Sequence, residues 1–135
     1  MPTFIAEIAS YSVLFEHGNS PNRSPFRNRF IQLRFTANAG MLAFYSLNFV
    51  PESKHASTGT IEKQANGSFR GNTTIPIGEF PQYYDVLRTE KPVSVRIEFD
   101  DDPQTALVGE LLPLTFFTLF TGAEPPGEGL PDVSK

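Results

Sequence analysis

The sequence predicts an all-β domain, an antiparallel sandwich or partly open barrel of about seven strands with one short helix over residues 80–89. Three observations point there. Thirteen Phe and four Tyr against two Met in 135 residues suit a pleated core, where flat rings pack well. Twelve Pro and ten Gly mark frequent chain reversals rather than long helices. Val93, Val95, Ile97 and Phe99 alternate with Ser94, Arg96 and Glu98, the period of a strand with one buried and one wet face.

The elements follow in order. Residues 3–16 read as a first strand with Phe4, Ala6 and Ile8 on one face and Ile5, Ala9, Tyr11, Val13 and Phe15 on the other. Apolar groups on both faces predict a central strand or one bent across two sheets. Residues 17–25 form a polar loop longer than a hairpin requires. Residues 27–38 are a second strand with Ile31, Leu33 and Phe35 inward, and Asn38-Ala39-Gly40 reverses the chain. Residues 41–50 are a third strand, again apolar on both faces.

After a polar connection, residues 58–64 and 68–77 make a hairpin around Asn66-Gly67, a pair suited to the two central positions of a type I′ turn. Phe80, Tyr83, Tyr84 and Leu87 then recur at helical spacing, and Lys91-Pro92 stops the helix because a residue before proline avoids the α region. The strand over 93–99 follows, Asp100-Asp101-Asp102-Pro103 interrupts the sheet, and residues 106–121 form a final strand bent near Pro113. Residues 1–121 make one β domain; 122–135 have the composition of an extended Pro/Gly-rich tail.

Composition bounds the function. There is no cysteine, hence no disulfide, thiol nucleophile or thiolate metal site. The N-terminus has no basic region and Glu7 interrupts its apolar run, no stretch has the length of a membrane span, and a soluble cytoplasmic protein is expected. A net charge of −4 disfavours nucleic acid as a partner.

Two charge clusters stand out. Arg23, Arg27 and Arg29 crowd one short region and could hold an anion, an acidic glycan or an acidic partner segment. Asp100 and Asp102 are where calcium would be sought, against the simpler reading of a solvated turn. Self-association, with the basic loop of one copy meeting the acidic turn or tail of the next, would use both clusters together with the strands apolar on both faces. Tyr83 and Tyr84 diverge on a helix, so one is free to offer its ring to a ligand. His17 and His55 show no metal-ligand spacing and there is no Gly-x-Ser-x-Gly elbow, which places an enzyme last. The sequons at Asn22, Asn66 and Asn72 read as chance. The expectation is a non-enzymatic interaction or self-assembling β protein. The alternative is a module for a small apolar ligand or carbohydrate, using an aromatic pocket or the 17–25 loop.

Overall fold

A computed structural model describes residues 2–19, 21, 25–36, 41–51 and 56–123, with 25–27 as backbone. Seven strands are β1 (Thr3–Asn19), β2 (Pro25–Phe35), β3 (Leu42–Val50), β4 (Ser57–Lys63), β5 (Phe69–Pro76), β6 (Val93–Phe99) and β7 (Leu111–Thr121); the helix α1 is Phe80–Thr89, entered through a 3₁₀ turn at Ile77–Glu79. The sheet closes in the order β1-β2-β3-β5-β4-β7-β6. It is a barrel and not a sandwich. All pairs are antiparallel except β3 with β5, because β5 returns from its hairpin with β4 to lie between β4 and β3. The last strand begins at Leu111 rather than at residue 106.

The strands that read as apolar on both faces are bulged. Ile8 pairs with Phe35 and Ser10 with Arg34, so Ala9 is an extra residue in β1. Side chains alternate along a strand, and one inserted residue exchanges the two faces. Phe4, Ala6 and Ile8 before the bulge and Tyr11 and Val13 after it therefore all pack on the same core. Ala43 does the same in β3, where Leu42 and Tyr45 are both buried, and Thr115 in β7, where Leu112 and Leu114 are followed inward by Phe117 and Leu119. The interior is packed with fully buried side chains, Tyr45, Phe49, Phe69 and Phe99 the largest. Each such ring contributes about 2–3 kcal/mol over its exposed state.

The turns have similar local causes. The Gly67 N–H donates to the Gln64 carbonyl at 3.0 Å, so the central residues of the β4–β5 turn are Ala65 and Asn66. Gly67 follows with φ +87°, which makes this a three-residue turn with a glycine bulge in place of the expected type I′ pair. The Asn66 side chain accepts from the Ser68 N–H and hydroxyl. Within α1, Pro81 presets the first turn, and the chain leaves the helix at Glu90 (φ −110°, ψ 151°), next to the Lys91-Pro92 stop. Because α1 links the end of β5 to the start of β6, it lies across one end of the barrel. The 100–102 turn is at the other end.

Candidate functional site

β1 outruns its partner β6. Residues 3–7 pair with β6, whereas residues 8–19 pair only with β2, and the β1–β2 hairpin continues past the last β2–β3 rung at Arg29. Helix α1 packs beside this upper half of β1. Tyr11 meets Tyr84 edge-on with ring centres 6.3 Å apart, and Phe15 meets Phe80 at 6.0 Å. Phe80 also stacks on Tyr84, one turn along the helix, at 5.9 Å with planes 12° apart.

Arginines close the row at both ends. Arg29, paired directly opposite Phe15, sets its guanidinium 4.8 Å from that ring centre; Arg88 sits 5.7 Å from the Tyr84 ring and is ion-paired to Asp85. The result is an unbroken series Arg29–Phe15–Phe80–Tyr84–Arg88 along a groove between strand and helix. Phe15 is 62% exposed and Tyr84 37%. A ring row of this kind offers flat apolar contact and, through the guanidiniums, hydrogen bonds to carboxylates or carbonyls. Near the C-terminal end of α1 the groove widens into a cavity of about 340 Å³ between Ile8–Tyr11 of β1 and Leu87, Glu90 and Lys91.

Tyr83 faces a different way. Its ring packs edge-on to Phe49 at 5.6 Å, and it lines a second, shallower cleft of about 400 Å³ with Thr58, Thr73 and Phe116. That cleft exists because β4 and β7 pair only over residues 60–62 and 111–113 and then splay apart. Burial, with Glu79 adding to it, raises the Tyr83 phenol above its ordinary value. Behind it the Tyr45 hydroxyl and Thr73 Oγ1 are 2.5 Å apart, and Thr73 Oγ1 donates to the Thr58 carbonyl at 2.9 Å. The single Thr73 hydroxyl proton is thereby used, so Tyr45 is the donor of the pair.

Of the residues singled out from sequence, Arg29 and Tyr84 come together in one row and Tyr83 stands apart from it. Arg27 pairs by its backbone with His17 on the same hairpin, where His17 is exposed. Arg23, His55, Asn22 and residues 124–135 lie outside the described residues. Asp100 and Asp102 are at the far end of the barrel; Asp102 Oδ1 accepts from the Gln104 N–H and its carbonyl from Thr105, an exposed capped turn. Among the described residues no three His, Asp or Glu side chains converge as a metal site. Sequence reasoning missed Phe15 and Phe80 as site residues. Phe15 read as one more apolar residue on the second face of the first strand, and the length of β1 beyond β6 exposes it.

No family model matches this chain, and neither a curated protein nor a solved structure matches it.

Proposed function

We propose that this chain is a non-enzymatic interaction protein that takes an acidic, extended partner segment along the groove between β1 and α1. The observation that carries this reading is the unbroken series from Arg29 through Phe15, Phe80 and Tyr84 to Arg88. Among the described residues, the β1–β2 hairpin from Arg29 outward carries Arg27 and Arg29 against one acid, Glu16, a local excess of positive charge on an acidic chain. Extended, proline-rich chains dock on aromatic grooves at low entropic cost, and carboxylates on them would meet the guanidiniums. The barrel interior, filled by its own rings, gives no support to an internal apolar ligand.

Self-assembly is the second reading, and one observation favours it. Arg29 and the Asp100–Asp102 turn occupy opposite ends of the barrel, separated by roughly 40 Å of β1. The basic end of one copy can therefore face the acidic end of the next, a head-to-tail contact. Strands apolar on both faces count less toward it, since bulges fold most of those side chains into one core and leave Ile5 and Phe15 exposed.

The test is a titration of the full-length protein with a fluorescein-labelled Glu-Pro repeat peptide, read by anisotropy at low and high salt, with light scattering alongside. Saturable binding that weakens with salt is expected. No binding, to the full chain or to the chain ending at Ala123, overturns the reading. Mass above the monomer that is lost on Asp100→Lys/Asp102→Lys supports self-assembly instead.

A further inference from the structure

Four features bear on what would occupy the groove. The described chain ends beside it: a side-chain carbon at Gly122 would lie 3.6 Å from the Pro92 ring, next to the end of α1. Beside it lies the 340 Å³ cavity lined by Ile8–Tyr11 and Leu87; Tyr11 of that lining meets Tyr84, and Tyr84 leads through Phe80 to Phe15 and Arg29. The twelve residues that follow, 124–135, contain Glu124, Glu128 and Asp132 against one basic residue, Lys135, and carry Pro125, Pro126 and Pro131. An extended proline-type chain covers about 3.1 Å per residue, so this segment spans roughly 37 Å, against about 15 Å for the length of α1.

We infer that residues 124–135 are an intramolecular occupant of the groove between β1 and α1, lying back along the helix from Pro92 toward Phe15 and Arg29. The inference rests on the reading that this face takes acidic extended segments, and it adds a regulatory consequence. The tail competes with any partner for the same rings and arginines, so the intact chain binds a partner more weakly than the chain without it. Reach, starting point and charge agree: prolines pack on exposed rings, and the tail carboxylates meet Arg29 and Lys91, since Arg88 is already held by Asp85. Glu90 and Asp85 are the acids that border the route, and they set its charge limit near the helix end. Tethering makes the effective concentration of the tail millimolar, so weak contacts suffice.

The experiment compares aromatic and arginine side-chain NMR spectra of three proteins: the full chain, a full chain with Glu124→Gln, Glu128→Gln and Asp132→Asn, and a chain ending at Ala123. Among the described residues no strand and no core residue lies beyond Thr121, so the shortened chain keeps every described strand of the barrel. Expected are shifts at Phe15, Tyr84 and Arg29 on removing the tail, partial shifts on neutralising it, and independence from protein concentration. The Glu-Pro repeat peptide should bind the shortened chain at least about fivefold more tightly than the full chain. Identical spectra from all three overturn the inference. Shifts that grow with concentration and accompany a larger mass show the tail working between copies and overturn the intramolecular form. If the spectra are identical but the repeat peptide still binds at Phe15 and Arg29, only this inference fails. If the peptide binds none of the three, the reading of the face fails as well.

Discussion

Arg29 and Phe15 are direct partners across the β1–β2 pair, and the guanidinium of one lies 4.8 Å from the ring centre of the other. Phe15 is 62% exposed, so this contact adds little to folding and serves mainly to hold a flat surface in place. An exposed cation–ring contact is worth about 0.5–1 kcal/mol. Phe15→Ala is therefore expected to change the unfolding free energy by less than about 1 kcal/mol yet weaken peptide binding at least about fivefold, equivalent to about 1 kcal/mol. Arg29→Lys, which keeps charge and loses the planar fork, should fall between wild type and Arg29→Glu. Urea melts and anisotropy titrations of these variants separate the two effects.

Deleting Ala9 tests the bulge in β1. Without the extra residue, either Phe4, Ala6 and Ile8 or Tyr11 and Val13 must turn outward. Two or three half-buried side chains, worth about 1.5–3 kcal/mol each only when fully buried, then lose their contacts, and the expected loss is about 2–4 kcal/mol. Ala9→Gly keeps the residue count and should cost less than about 1 kcal/mol. Equal stability of the deletion and wild type, by urea melt, contradicts the assignment.

Gly59 and Gly67 both have positive φ, +101° and +87°, but different surroundings. A side-chain carbon at Gly59 would stand 1.6 Å from the Asn72 carbonyl oxygen, while at Gly67 nothing lies within 4 Å. Gly67→Ala carries only the left-handed penalty of about 1–2 kcal/mol. Gly59→Ala adds a collision with backbone that cannot rotate away, and should lower stability clearly more. Matched melting curves decide it.

Tyr45 predicts a pH dependence. Burial pushes its phenol well above the ordinary value of 10.0, and Tyr83 adds slightly. The unfolded phenol releases its proton first as pH rises through about 10, so the unfolded state binds fewer protons there and stability falls. For one group the slope reaches at most about 1.4 kcal/mol per pH unit, and below about pH 9 the contribution is constant. Tyr83, also raised, acts with the same sign. Tyr45→Phe should cost about 0.5–1.5 kcal/mol at neutral pH, since Thr73 keeps its bond to Thr58, and should flatten the alkaline decline. Urea midpoints between pH 8 and 11 check both.

What the sequence made legible was local. The α1 stripe and the alternation of β6 required only regular spacing, and both appear with the expected bounds. Two-faced strands misled because alternation assumes an unbroken period, and no residue type announces a bulge at Ala9, Ala43 or Thr115. The parallel β3–β5 pair is set by where a hairpin docks, a long-range choice with no local mark. Tyr84 and Arg29 were singled out from their chemistry, and the structure brings them into one row. Phe15 and Phe80 were not, because exposure of an apolar ring depends on which strand ends first.

The most direct measurement is a map of where the Glu-Pro repeat peptide lands on the full-length protein, by side-chain and backbone NMR shifts during a titration. The account predicts that the largest changes fall on Phe15, Arg29, Phe80, Tyr84 and Arg88. Changes clustered instead in the Tyr83 cleft or at the Asp100–Asp102 end would contradict it.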